Sequence, residues 1–392
     1  MKKVLFLQNN GKSFGGVWQV NKLVGEELIK HEYDVSIIAI RNNKADIELE
    51  HDPKLHVGAI NEIDEWGTYS GQDILKELKD IRPFKAIKMT LSRIKYQIIL
   101  AKDKKKLHQF IEDYKPNYII VSHYQVLDMI PKNYLNITIN EQHSSFAAAI
   151  NHRATKKTFD KYKDKIKFVW LTKNTMDQAI KYGIKNSTYI YNAVRFTSDE
   201  VADVIKNKKL ITICRLSVDK DVKRMITIAK ELFKDKKLKD WKLEIYGDGP
   251  QYSEIKIKVG NHPQIKLMGL TKNPKDKLLT ASINLNTSPY EGFSLSILEA
   301  NECGVPTIAF NFGESAEEQI INNKTGIIAK DNQDYINNLK ELMSNEDKLK
   351  ELSHNCKEFN KDFRIDSIIK KWIELFNELN HQETKNETEK KQ

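Results

Sequence analysis

The chain has 392 residues, 40% of them apolar and 9% aromatic. That suits two folded domains and is too rich in core-forming residues for a disordered chain. Mean hydropathy is −0.57, and the longest apolar runs are four or five residues, as in Ile98-Ile99-Leu100-Ala101, whereas a membrane-spanning helix needs about twenty. Three cysteines, Cys214, Cys303 and Cys356, are widely spaced with no Cys-x-x-Cys, which argues against a disulfide framework or a cysteine zinc site. Lys and Arg total 64 against 54 acidic residues, net +10. Such a balance suits nucleic acid, an anionic membrane surface or an acidic small substrate.

In chain order, Met1-Lys2-Lys3 opens like a signal peptide. The apolar run Val4–Leu7 that follows is too short for one and reads as a first strand. The protein is therefore expected in the cytoplasm. Gly11, Gly15 and Gly16 come next, then a helix with Val17, Val20, Val24 and Leu28 on one face. Asp34–Ile40, Asn117–Ser122, Ile137–Gln142 and Phe168–Thr172 read as further strands.

Between them lies a basic segment, residues 82–106. Arg82, Lys85, Lys88, Arg93, Lys95, Lys102, Lys104, Lys105 and Lys106 stand against Asp103 alone, giving this stretch +8. Phe84, Ile87, Leu91, Ile94, Ile98 and Ala101 recur at steps of three and four, one face of a helix. Such a helix can lie on an anionic bilayer or pack on the domain core with its charges solvated. No nucleic-acid reader motif accompanies the charge, and only Phe84 and Tyr96 are aromatic within it, so nucleic acid is not expected as a partner.

The second half alternates more regularly. Strands are expected at Leu210–Leu216, Lys242–Tyr246, Ile265–Leu270, Ile283–Thr287, Thr307–Phe310 and Gly326–Ala329, with helices between. This is β-α-β grammar and implies parallel sheets. A polar stretch from Tyr189 to Lys209 reads as the linker. The expected organisation is two doubly wound domains facing a central cleft, 1–195 and 196–363. A helix over 364–380, with Ile368, Trp372 and Phe376 among its apolar residues, must pack on something, and a disordered tail follows over 381–392.

The most informative string runs from Thr287 to Ala300 and on to Cys303-Gly304-Val305-Pro306. A strand ends, a Gly-containing turn follows, and a helix begins near Ser294. The backbone N–H groups of Gly292, Phe293, Ser294 and Leu295 then sit at a positive helix end suited to phosphate. Glu291 and Glu299 could accept hydrogen bonds from the hydroxyls of one extended ligand. Spacing alone is uninformative in a chain with 29 glutamates; the whole string is what is specific. Glu291 could equally be an ordinary helix-start charge. Arg215 and Lys220 follow the Leu210 strand and could neutralise a diphosphate, or be solvated loop charges. Asp219-Lys220-Asp221 lacks the strand-end setting of a metal site. His123 and His143 each follow a strand; either could face the cleft or be structural. Gly-x-Ser-x-Gly, His-Glu-x-x-His, Walker and Gly-x-Gly-x-x-Gly motifs are all missing.

Taken together, Pro289-Tyr290-Glu291-Gly292-Phe293, Leu298-Glu299-Ala300 and Gly304-Val305-Pro306 resemble the Glu-x7-Glu signature of the retaining GT-B glycosyltransferases of family four. Arg215-Leu216 with Lys220 resembles that family's Gly-Arg-Leu-x-x-x-Lys-Gly turn, and Tyr246-Gly247-Asp248-Gly249-Pro250 its Gly-x-Gly-Pro segment. Gly15-Gly16 resembles its N-terminal glycine loop, and Tyr191-Asn192-Ala193-Val194 its Pro-Asn-Gly-Val linker. Cys214, Asp221 and Ala193 stand where that family usually has glycine.

The resemblance implies a GT-B fold with the C-terminal helix crossing back to the first domain. It implies that Arg215 and Lys220 bind the donor diphosphate, that Glu299 binds ribose, and that Glu291 with the backbone of 292–295 holds sugar and phosphate. Gly15 and Gly16 would approach the donor phosphate, and His143 would lie near the donor sugar. No metal or other cofactor is expected. The implied reaction moves a sugar, with retention, from a nucleotide sugar such as UDP-GlcNAc or UDP-glucose to a bacterial envelope glycan. A teichoic acid, or a lipid-linked capsule or exopolysaccharide intermediate, would be the acceptor, with the enzyme in the cytoplasm or at the inner membrane face. A non-catalytic glycan-binding or chaperone partner of another transferase, and an epimerase of the same fold, are the competing readings.

Overall fold

The computed structural model describes residues 1–10, 16–43, 50–63, 83–313 and 315–391. Gly11, Gly15 and Arg82 lie outside them. The strands are β1 (Lys2–Asn10), β2 (Tyr33–Asn43), β3 (His56–Ile63), β4 (Tyr118–Val121), β5 (Thr138–Gln142), β6 (Lys167–Trp170) and β7 (Ser187–Tyr189), then β8 (Lys209–Ile213), β9 (Lys242–Tyr246), β10 (Ile265–Gly269), β11 (Ile283–Asn286), β12 (Thr307–Phe310) and β13 (Gly326–Ala329). They build two sheets, in the orders β3-β2-β1-β4-β5-β6-β7 and β10-β9-β8-β11-β12-β13. The pairings within them are parallel, for example Val4 with Val35 and Tyr118, and Leu210 with Leu243 and Ile283. Each is a Rossmann-like α/β sheet.

The sequence places these strands well because parallel strands are buried on both faces and read as continuous apolar runs. Val4, Leu5, Leu7, Ile119, Ile120, Leu210, Ile211 and Ile283 are fully buried. Two strands were not expected, β3 and β7. Both are half-buried, and β3 pairs only with β2, so neither carries a strong apolar signal.

By contacts the chain divides into two compact units. The first comprises Met1–Gln142, His152–Val169 and Ile184–Asn186; the second comprises His143–Asn151, Trp170–Gly183 and Ser187–Gln392. The core of the second unit runs continuously from Leu210 and Ile226 through Leu243 and Leu285 to Tyr335 and Leu352. Cys303 belongs to that core and Cys356 is buried elsewhere in the same unit; burial pushes the Cys303 thiol up to about 12 and the Cys356 thiol up as well.

The terminal helix spans Ile365–Lys391 and buries Ile368, Trp372, Leu375 and Phe376. It therefore continues through 381–391, which the sequence reading leaves as a disordered tail. Glu, Lys and Gln are strong helix formers, and an existing helix extends at the cost of one residue's entropy per added hydrogen bond. Among the described residues no helix is long and apolar enough to cross a membrane.

The basic segment forms the helix Pro83–Tyr114. Its core-facing residues are Met89, Leu107 and Ile111, all buried. Phe84, Ile87, Leu91, Ile94, Ile98 and Ala101, the apolar stripe of the sequence, are exposed. Packing of that stripe on the core is thus excluded. The reason is geometric: Met89 and Ile98, and Ile98 and Leu107, lie nine residues apart, about two and a half turns, and so on opposite faces.

Candidate active site

In the second sheet the strand order reverses between β8 and β11, which pair directly. Ligands of open α/β sheets bind outside the carboxyl ends of strands at such a reversal. Arg215 and Lys220 follow β8, the segment Gly247–Pro250 follows β9, and the Glu291 signature follows β11.

Backbone contacts lock the first two loops together. A Cβ at Gly247 would fall 1.9 Å from the Cys214 carbonyl oxygen, and one at Gly249 2.6 Å from that of Leu216. The Leu216 N–H donates to the Asp248 carbonyl at 2.8 Å. Those glycines are needed for this approach. Cys214 stands at the end of β8, where burial pushes its thiol up to about 11 within the fields of Lys220, Glu291 and Asp219.

Asp221 adopts φ 43, the left-handed region, which explains why glycine is usual after the lysine. Aspartate tolerates that conformation and adds a cap: its Oδ1 accepts from the Arg224 N–H at 3.3 Å, at the start of the helix Val222–Leu232. It thereby shapes the loop.

Lys220 Nζ donates to Glu291 Oε1 at 2.6 Å, and Ser288 Oγ donates to the same oxygen at 2.8 Å. Both partners of the ion pair are largely buried. Glu291 is thus fixed by a cation and a hydroxyl, not left as a free helix-start charge. Oε2 accepts no hydrogen bond from a described residue. Thr287 Oγ1 donates to the carbonyls of Lys220 and Asp221 at 3.1 and 3.0 Å, joining the β8 and β11 loops. Ser315 Oγ donates to the Glu291 carbonyl at 3.0 Å. Arg215 is exposed and forms no ion pair with a described residue.

The signature helix is Leu295–Glu302, with Ser294 as its N-cap residue. One part of the phosphate-cradle expectation needs correction. The Ser294 N–H is already taken by Gln319 Oε1 at 2.8 Å, and Gln319 Nε2 returns a bond to the Ser294 carbonyl at 2.9 Å. The Phe293 side chain is turned into an aromatic cluster with Tyr191, at 5.4 Å between ring centroids, and Phe363, at 5.7 Å. Ligand contact at Phe293 is therefore left to its backbone. Gly292 and Leu295 remain partly exposed.

Gly292 also makes room for His143. A Cβ there would fall 2.0 Å from the His143 carbonyl oxygen. The structure thus brings His143 to the signature turn, within the second unit. His123 has a different role. Its Nδ1 accepts from the Gln125 N–H at 3.3 Å, capping the helix Tyr124–Leu127. Burial, with a smaller contribution from His152, lowers its pKa to about 4. Gly16 opens the helix Gly16–Lys30 in the first unit.

Glu299 is buried, and Arg195 Nε donates to its Oε1. Oε2 of Glu299 accepts no hydrogen bond from a described residue. Arg195, Ser288, Ser315 and Gln319 were not singled out by sequence. Arg195 had a signal available, as a cation immediately after the linker motif, and Ser288 lay within the Thr287–Ala300 string; Ser315 and Gln319 had none. The linker itself is held by Tyr191, whose hydroxyl donates to Glu318 at 2.8 Å, and by the Val194 N–H, which donates to the Phe363 carbonyl at 2.8 Å.

Residues 196–362 match the sequence family described as glycosyl transferases group 1. That stretch holds Arg215, Lys220, Glu291 and Glu299, whereas His143, Tyr191, Val194, Arg195 and Phe363 lie outside it. Along nearly its whole length the chain is similar to an uncharacterized glycosyltransferase of Haemophilus influenzae, 23% identical over 95% of this chain and 99% of that one. The chain is similar to the GT-B glycosyltransferases. A solved structure of a S. aureus TarM mutant, in complex with fondaparinux, alpha-GlcNAc-glycerol and UDP, matches with a TM-score of 0.75 at 15% identity, over 96% of this chain and 100% of that one, and so shows the same GT-B fold. The chain is also 26% identical to a Staphylococcus aureus poly(ribitol-phosphate) alpha-N-acetylglucosaminyltransferase, over 52% of this chain and 41% of that enzyme. It spans only 19% and 49% of the length of two other curated relatives.

Proposed function

We propose that this glycosyltransferase moves a hexose from a UDP sugar, UDP-GlcNAc or UDP-glucose, to a bacterial envelope glycan with retention of anomeric configuration. The acceptor is a teichoic-acid chain or a lipid-linked capsule or exopolysaccharide intermediate, and the reaction takes place on the cytoplasmic side. The observation that carries the reading is the Lys220–Glu291 pair, held by Ser288 at the turn into the helix Leu295–Glu302. The UDP in the TarM structure and the poly(ribitol-phosphate) acceptor in the name of the S. aureus relative support the donor and acceptor classes.

In this reading Lys220 and Arg215 hold the donor diphosphate and stabilise the charge that grows on it as the C1–O bond breaks. Glu291 orients Lys220 and, through Oε2, accepts a sugar hydroxyl. Glu299 accepts the ribose hydroxyls through its own Oε2. The acceptor hydroxyl attacks C1 from the face the diphosphate leaves, and a phosphate oxygen takes its proton. His143 contacts the donor sugar, and Gly15 and Gly16 let backbone approach the phosphate. The two cations do the work of a divalent metal, so chelation leaves the rate unchanged.

The test is transfer from each UDP sugar to poly(ribitol phosphate), poly(glycerol phosphate) and lipid-linked acceptors, with the product's anomeric configuration read by NMR. Lys220→Ala and Glu291→Ala should each lower kcat/KM by about 100-fold or more, as loss of a group acting on developing charge does. An inverted product, or undiminished turnover in both variants, overturns the proposal. Donor binding with no transfer to any acceptor would favour the non-catalytic reading.

A further inference from the structure

The helix Pro83–Tyr114 presents large apolar side chains to solvent. Phe84, Ile87, Leu91, Ile94 and Ile98 are 52% to 87% exposed. They lie on one helix face, over about 21 Å of its length. Scattered exposed apolar residues need no explanation, but an ordered row of five does. The opposite face, with Met89, Leu107 and Ile111, is the one buried on the fold.

The helix is firmly seated at its other half. Asp103, the one acidic residue among nine basic ones between 82 and 106, is buried. It accepts from Arg41 Nε at 2.6 Å and from Asn61 Nδ2 at 3.2 Å, on β2 and β3. An ion pair that is 2% and 1% exposed at its two side chains fixes the rotation of the helix. The stripe is therefore held outward.

Charge decides what covers it. Lys102, Lys104, Lys105 and Lys106 are exposed along the next turns. Two copies of the chain meeting through this helix would bring two segments of net +8 together. An anionic bilayer takes both features at once, with apolar side chains entering the headgroup–acyl boundary and lysines meeting lipid phosphates.

We propose that the helix Pro83–Tyr114 docks the protein on an anionic lipid bilayer, inserting the Phe84–Ile98 stripe. This does not rest on the transferase reading, since partition onto lipid needs neither donor nor acceptor.

The experiment is co-sedimentation of the full chain with vesicles of phosphatidylcholine, with and without phosphatidylglycerol. The protein should pellet with the anionic vesicles and stay in solution with the neutral ones. Ile87→Ser/Leu91→Ser/Ile94→Ser should lower the partition coefficient at least about tenfold with melting temperature unchanged, since it removes only solvent-exposed apolar area. Should that variant fail to fold, Leu91→Glu alone makes the same test. Lys102→Glu/Lys105→Glu/Lys106→Glu should abolish the preference for phosphatidylglycerol. Wild-type protein remaining in solution with anionic vesicles overturns the proposal, as does a stripe variant that binds like wild type. A wild-type dimer in ultracentrifugation that the stripe variant converts to monomer, with vesicle binding unaltered, would assign the face to a second copy instead.

Discussion

Arg195 and Glu299 show how a carboxylate can be prepared for a ligand. One oxygen is committed to a guanidinium, which holds the group in place and leaves the other oxygen to accept. If Glu299 binds ribose as proposed, Arg195 is a positioning residue. Arg195→Ala should weaken UDP binding about tenfold or more, the scale of a charge-assisted hydrogen bond. It should also shrink the preference for UDP over its 2′- and 3′-deoxyribose analogues, with Arg195→Lys restoring part of both. Calorimetric titration of the three nucleotides reads this, and an unchanged preference would reduce Arg195 to a structural role. The charged residues of the site were legible because they sit in one contiguous string or one short turn. Ser315 and Gln319 were not: they reach the Glu291 carbonyl and Ser294 from 24 and 25 residues away, by tertiary folding that leaves no local spacing to read.

Among elements, legibility followed burial. β9, β12 and β13 fall at the expected residues, since short apolar runs between turns specify buried parallel strands. The Gly16–Lys30 helix was legible by its period, with Val20, Val24 and Leu28 buried as that period requires. The edge strand β3 escaped because its residues are half-solvated. The Pro83–Tyr114 helix was legible as a helix, but periodicity does not say whether an apolar stripe faces protein or solvent.

The short helix Tyr124–Leu127 carries a pH prediction. Its cap is the neutral imidazole of His123, which must accept a hydrogen bond and so opposes protonation. The folded pKa, about 4, lies below the ordinary 6.5. The unfolded chain therefore binds the proton first, and stability falls as pH drops from about 6.5 towards 4, then levels. The loss is of order 2 kcal/mol over that window. Urea unfolding at pH 7 and pH 4.5 should show that loss in the wild type and much less of it in His123→Asn, which can still cap. Parallel losses in the two proteins would remove His123 as the cause.

At the scale of the molecule, the two sheets were legible from β-α-β alternation, while the site was legible almost only in the second unit. Nothing comparable to the Glu291 string occurs in the first half, where the match to glycosyl transferases group 1 is also absent. A chain in two compact units need not melt in one step. If UDP binds as proposed, through residues of the second unit, it should raise the transition belonging to that unit. At 100 times its Kd the gain is about 2.7 kcal/mol, or some 5–10 °C for a unit of that size. Scanning calorimetry with and without UDP checks this, and Lys220→Ala should lose most of the shift. A shift confined to the first unit's transition would relocate the nucleotide site.

Cys303 and Cys356 offer a way to tell those transitions apart. Both thiols are buried in the second unit and held protonated by burial, so a thiol reagent at neutral pH finds little thiolate there while that unit is closed. Their modification rate is then a clock for the opening of that half alone. The chain thus carries its own site-resolved probe of local unfolding, silent for the first unit, with no label introduced.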